Sequence, residues 1–221
     1  MTITTTTLTR AAGAAAVAAG LIFAGVQIGH PHLDVESVVT TQVVVRNTLK
    51  LVMASLALAG IAGLYLSQIR KNGLVGLIGY VLLSFGYLSV FATTLVAAYV
   101  LPAVADTNPG YVSDVLAAST GGHAVGDIGL MQPLLQLQGF AYLGGGLLLG
   151  IALFRARVVA RWATVLLAVG GLVSAALAVM PDAFYRLLAY PNAIAMIGLG
   201  YSLWRTARTT TSVQPPVAVA G

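Results

Sequence analysis

Six stretches of this sequence, at about 10–29, 48–69, 73–100, 131–154, 160–180 and 183–204, run for close to twenty or more residues with almost no charged side chain. An α-helix needs about 20 such residues to cross about 30 Å of hydrocarbon. Lipid leaves a backbone only two ways to satisfy its own polar groups, the helix and the closed β-barrel. A barrel strand alternates apolar and polar residues, and no stretch here does so. Hydrophobic residues make up 58% of the chain and charged ones 8%, too few to clothe a soluble domain. The sequence therefore predicts an all-α polytopic membrane protein, a bundle of six transmembrane helices filling residues 10–205. Its polar or proline-containing ends, 1–9 and 206–221, are expected to be disordered tails.

A net charge of +5 does not point to nucleic acid, because the basic residues come in ones to threes at span ends and form no basic face. They read instead as topology. If six spans alternate, Arg10, Arg70, Lys71, Arg155, Arg157, Arg161, Arg205 and Arg208 fall on one side, against Arg46, Lys50 and Arg186 on the other. The positive-inside rule then puts both termini in the cytoplasm of a multi-pass cell-membrane protein. All six acids (Asp34, Glu36, Asp106, Asp114, Asp127, Asp182) and all three histidines (His30, His32, His123) collect on the outer face. Arg10 ahead of "AAGAAAVAAGLIFAGV" also has the order of a signal peptide, but the run is long and no clear A-x-A site precedes "QIGH", so a retained first span is expected. With no cysteine there are no disulfides or thiolate sites, and helix packing must hold the structure.

Glycines suggest how. Gly60, Gly63, Gly76, Gly79 and Gly86, and the run "YLGGGLLLG" at 142–150, offer places where helix backbones can meet closely, the main source of helix association in lipid. The outer loop 101–130 should contain a short helix over 109–119. Asn108 then Pro109 start it, Gly121 and Gly122 stop it, and Tyr111, Val112, Val115 and Leu116 turn towards the bundle. Asp34 is expected to cap a further helix that follows the Pro31 break and lies along the surface through "VESVVTTQVVV" before entering the membrane.

Polar residues inside spans cost free energy and normally face the bundle interior or a cavity. Here they gather in the outer half: Gln27 and His30; Arg46, Asn47 and Lys50; Gln132, Gln136 and Gln138; Tyr190 and Asn192 around a Pro191 expected to kink span six. Tyr80, Ser84, Tyr87 and Phe91 form one stripe on span three. A polar-bottomed cavity opening outward accounts for all of these. Candidate acids at its mouth are Asp127 and Asp34, desolvated enough to stay protonated and donate, with His123 and His30 tuning them. Arg46 and Lys50 would anchor an anionic group or pair with the acids, and Gln132, Gln136, Tyr190, Asn192 and Tyr87 would line the ligand site. No H-x-x-x-H or H-E-x-x-H spacing occurs, so neither a metal nor another cofactor is expected.

The segments "RNTLKLVMASLALAGIAGLYLSQIRKNGLVGLIGYVLLSFG" and "FRARVVARWATVLLAVGG" give the chain, over roughly 10–205, a likeness to small six-to-seven-helix integral membrane proteins of high-GC bacteria. It resembles this domain-of-unknown-function group in a "GLYLSQIR" helix end and an "ARWA" span start, which imply the fold and no catalytic residue. In architecture alone it is similar to small integral-membrane terpene cyclases, which lack a D-D-x-x-D metal motif and protonate a prenylated substrate. Those enzymes use membrane-embedded carboxylates, and this chain has none deep in a span. Three functions follow as expectations: an acid-catalysed isoprenoid cyclase or isomerase, a non-enzymatic binder of membrane lipid or another hydrophobic small molecule, and, with few polar residues in the inner half, a small transporter.

Overall fold

Thr4 accepts a hydrogen bond from the Thr7 backbone N–H through its side chain and so starts the first helix, α1 (Thr5–Gly25). In the computed structural model, which describes residues 3–176 and 187–211, there follow α2 (Val35–Val38), α3 (Thr41–Leu66), α4 (Ile69–Leu95), a π-helical turn (Val96–Val100), α5 (Leu101–Val104), α6 (Pro109–Ser119), α7 (Met131–Ala156), α8 (Arg161–Ala176), a 3-10 turn (Leu187–Ala189) and α9 (Tyr190–Thr211). No strand occurs among the described residues. The apolar runs Thr5–Gly25, Thr41–Leu66, Ile69–Val104 and Met131–Ala156 are long and apolar enough to cross a membrane. On α4 the residues Leu74, Leu77, Ile78, Val81, Phe85 and Leu88 are all exposed at helical spacing. A face of that kind is suited to lipid rather than water.

The long helices pack antiparallel in chain order, α1 on α3, α3 on α4, α4 on α7, α7 on α8 and α8 on α9, and α9 returns to α1 to close the ring. Small residues set the closest approaches. Gly60 and Gly63 lie against Ala16 and Ala12 of α1, Gly79 and Gly86 against the backbones of Leu149 and Tyr142, and Gly13 against the Gly200 carbonyl of α9. In "GGG" the roles divide: Gly145 meets the Leu83 backbone, Gly146 faces α8, and Gly144 meets only the tip of Leu82. Inside the ring sit Met53, Ile61, Leu64, Leu83, Tyr87, Leu149, Leu153, Leu167, Met196, Leu199 and Leu203, all buried.

One end of the ring carries short turns, the start of α1 and the end of α9. Of the basic residues, Arg10, Arg70, Lys71, Arg155, Arg157, Arg161, Arg205 and Arg208 have their backbones at this turn end. The opposite end is a cap with a core of its own, in which Val38 of α2, Leu101 and Ala105, Val112, Val115 and Leu116 of α6, and Ile128 are buried together. Asp34, Glu36, Asp106, Asp114 and Asp127 all lie in the cap. The sixth acid, Asp182, and Arg186 fall outside the described residues.

Several sequence boundaries need correcting. The first five residues of α1 come from the stretch expected to be a disordered tail, because a threonine cap outweighs weak propensity there. The α9 helix likewise runs on through 206–211. The second span begins at Thr41 instead of 48, since Thr40 caps α3 and ends the surface helix after Val38. The third extends over Ile69–Val104, broken at Gly73 (φ 57°, ψ −165°), a conformation open essentially to glycine alone. Pro191 stands in the first turn of α9, where a missing N–H removes no helical bond, directly after the 3-10 turn; the first residues of the expected sixth span, 183–186, lie outside the described residues.

At the turn end the junction of α3 and α4 is unexpectedly polar inside. Gln68 is 3% exposed and Asn72 4%, and Asn72 Nδ2 donates at 3.1 Å to the Tyr65 carbonyl, which also accepts the Gln68 backbone N–H at 3.1 Å.

Candidate functional site

The cap end holds most of the residues singled out from sequence, and local hydrogen bonding decides what each does. α1 stops at Gly25 because the chain turns through Gly29 (φ 58°) towards Pro31, which leaves carbonyls at its C-terminal end without a helical donor. Arg46, one turn into α3, supplies the donors. Its Nη1 donates to the Val26 carbonyl at 2.9 Å and its Nη2 to the Gly29 carbonyl at 3.0 Å, and Gln42 Nε2 reaches the same Gly29 oxygen at 3.5 Å. A cation at the negative end of α1 contributes about 0.3–1 kcal/mol or more through the helix dipole, apart from the hydrogen bonds themselves.

Lys50 and His30 meet. Lys50 Nζ lies 3.3 Å from His30 Nε2 and 3.4 Å from Asn47 Oδ1, while His30 Nδ1 is 2.9 Å from the Pro31 carbonyl. Asn47, buried, passes the connection on: its Nδ2 donates to the Ala97 carbonyl of the π-helical turn at 3.4 Å. This network joins the end of α1 to α3 and to the last turns of the third span.

The expected acids are placed otherwise. Asp34 caps α2: its carboxylate accepts from the Ser37 N–H at 2.7 Å while the Ser37 hydroxyl accepts from the Asp34 N–H at 2.9 Å. These Ser37 bonds, helped by His32 at 3.7 Å, hold the Asp34 carboxyl below its ordinary value, against a small opposing effect of desolvation. The expectation was a carboxyl pushed up by burial, and Asp34 goes the other way because it is exposed and accepts bonds that favour the ionised form. The sign gives a testable pH dependence. A depressed folded pKa means Asp34 steadies the cap fully above its unfolded value of 3.8 and loses this effect as pH falls through the lower folded value. The protection of the 34–40 amides, their exchange rate taken relative to that of the unfolded chain at the same pH, should be constant from neutral pH down to about that point and fall below it, and Asp34→Ala should show the low protection at all pH.

Asp127 is exposed and turned to its own backbone, accepting from the Gly129 N–H at 2.7 Å, and His123, also exposed, makes no ion pair with it. The carboxylate that organises this loop is Asp114 of α6, whose two oxygens accept from the Val125 and Gly126 N–H groups at 2.9 Å each. Gln132 completes the loop, accepting from the Ala124 N–H at 3.2 Å and donating to the Gly122 carbonyl at 3.4 Å. Gln136 is exposed. Gln138 accepts from the Thr93 hydroxyl at 3.0 Å.

The tyrosine stripe is packing. Tyr80 stacks on Tyr65 with ring centres 4.6 Å apart, and Tyr87 meets Tyr142 edge to face at 5.1 Å, with their hydroxyls hydrogen-bonded at 3.1 Å. Asn192 is buried against Gly170 of α8, and Tyr190 is half-buried in the first turn of α9. These two are not joined to the Arg46 cluster by any contact among the described residues.

Beside Arg46 lies a feature the sequence did not reveal. An open groove of about 460 Å³ runs between the end of α1 and the start of α3, lined by Ile22, Gly25, Val26, Thr41, Gln42, Val45, Arg46 and Leu49. Polarity falls along it away from the cap, from Thr41 and Gln42 past Arg46 to an apolar floor at Leu49 and Ile22, in place of the polar-bottomed cavity expected. Leu49 lies seven residues along α3 from Gln42, about 10 Å deeper by helical rise. The only hint in sequence is spacing, since Gln42, Val45, Arg46 and Leu49 recur at three and four and so share a face. Among the described residues no three histidine or carboxylate side chains come together as a metal site would require. Comparison of the chain with family models, with curated proteins and with solved structures gives no match.

Proposed function

We propose that the chain is a six-span membrane protein with cytoplasmic termini and an outward cap, and that it holds a lipid-like or isoprenoid amphiphile without altering it chemically. The observation that carries this reading is the groove between α1 and α3, apolar along its floor and hydrogen-bonding only at its rim. An amphiphile has the same order of polarity from tail to head. The charge distribution supports the orientation, because the turn end concentrates basic residues and the cap concentrates acids.

Acid-catalysed cyclisation needs a protonated donor facing an apolar chain. Asp34 accepts the Ser37 N–H, which favours its ionised form, and Asp114 and Asp127 turn their oxygens to backbone N–H groups of the cap rather than to an apolar chain. Holding is therefore preferred to cyclisation. The deciding measurement is mass spectrometry of the organic extract from detergent-purified protein, wild type beside Leu49→Trp, whose indole would fill the groove floor. Wild type should retain an amphiphile enriched over the bulk membrane extract, and the variant severalfold less. An extract identical to bulk lipid in both would sink the reading, and a retained isoprenoid that changes mass on incubation would replace it with the enzymatic one.

A further inference from the structure

Arg46 is bound on one side only. A guanidinium has five N–H donors in a planar fork, and two are committed, to the Val26 and Gly29 carbonyls. Both acceptors are uncharged, and among the described residues no carboxylate lies within ion-pair distance of Arg46. The side chain is half-buried and lines the groove, so a positive charge with three donors to spare stands where the apolar floor ends. The carbonyls hold the fork in place before any ligand arrives, which lowers the ordering cost of engaging one.

We infer that the occupant of this groove is a lipid with an anionic headgroup, its phosphate or carboxylate taken by the free donors of Arg46 and its chain laid past Val45, Ile22 and Leu49. The inference rests on the amphiphile-holding reading and gives it a headgroup class. Charge complementarity selects the anion: a zwitterionic headgroup brings its own cation to the same rim, close to a guanidinium that has no counter-ion there among the described residues. Anchoring through planar, charge-assisted bonds also explains why arginine and not lysine suits the position. Thr41 and Gln42, both exposed at the rim, can hydrogen-bond the remaining headgroup oxygens.

The test is native mass spectrometry of the full chain released from nanodiscs containing equal amounts of phosphatidylglycerol and phosphatidylcholine with identical acyl chains. Wild type should keep phosphatidylglycerol over phosphatidylcholine by on the order of tenfold, the effect of one retained charge-assisted contact. Arg46→Gln should bring the ratio near one. Because that change also removes the donors at the end of α1, Val45→Glu provides a second arm: it leaves both Arg46 bonds in place, sets a carboxylate beside the same groove and should abolish the preference equally. Retention of both lipids without preference would overturn the anionic assignment and leave the amphiphile reading standing. Retention of neither would remove both. A preference unchanged in Arg46→Gln and Val45→Glu, with melting temperatures near wild type, would place the headgroup elsewhere and overturn the inference.

Discussion

Gly145→Ala should cost the folded protein about 1–3 kcal/mol, the range for forced overpacking, and Gly139→Ala on the same helix should cost nothing. The two glycines lie six residues apart on α7. A Cβ at Gly145 would press on the Leu83 backbone of α4, with its Cα 2.5 Å away, whereas a Cβ at Gly139 would have no neighbour within 4 Å. At Gly145 the obstacle is main chain, which cannot rotate aside as a side-chain tip can, so α4 and α7 would have to separate. Gly79 and Gly86 hold the same seam from the other helix, each against an α7 backbone. Separation is expensive because lipid competes for the apolar surfaces as well as the partner helix does, which leaves close packing as the main source of cohesion. At Gly139 the replacement brings only the better helix propensity of alanine, up to about 1 kcal/mol in a water-exposed helix. Thermal melts in one detergent, followed by the fluorescence of Trp162 and Trp204, check the pair. Equal melting points for the two variants would mean that α4 and α7 do not meet as closely as the structure has them.

This seam also shows what could be read from the sequence and what could not. That glycines in spans two to four mark close approaches was legible from composition, because few other roles suit a small residue in the middle of an apolar helix. Which of Gly144, Gly145 and Gly146 makes the contact was not, since rotation of α7 about its axis is set by the ring as a whole. The α6 helix was legible to the residue: Asn108 Oδ1 accepts from the Tyr111 N–H at 3.2 Å, Pro109 opens the helix, and the Gly122 N–H bonds back to the Ala117 carbonyl. Both signals are local. The start of α3 was missed by seven residues because "VESVVTTQVVV" was expected as one surface helix from Asp34, and the Thr40 cap that divides it is weak without its tertiary setting. The cap-end cluster was legible as a gathering of polar residues but not in its wiring. Arg46 was expected to face an anion or an acid, and it serves the Val26 and Gly29 carbonyls just past the end of α1, 20 and 17 positions earlier in the chain. Only the place where α1 ends makes those oxygens available.

A second large effect is expected at Asn47, where a proline on one helix creates a need that a side chain on another meets. Pro102 has no N–H, and its ring crowds the carbonyl four residues earlier, that of Ala98. The third span answers with the π-helical turn Val96–Val100, in which the Leu101 N–H goes to Val96 rather than Ala97. The next donor in π register would be residue 102, and that is the proline. The Ala97 oxygen thus loses both of its usual helical partners, and Asn47 Nδ2 supplies a replacement at 3.4 Å. Asn47→Leu, close in volume and apolar, should therefore cost about 1–3 kcal/mol, the penalty for leaving a buried carbonyl unsatisfied. It also takes the Asn47 oxygen from Lys50. The two losses can be separated. Pro102→Ala restores an N–H to the turn, so the cost of Asn47→Leu should shrink by about 1 kcal/mol or more in the Pro102→Ala background, a coupling that a double-mutant cycle measures directly. If the two penalties simply add, the carbonyl is not what Asn47 is for, and its weight lies on the Lys50 and His30 side of the network.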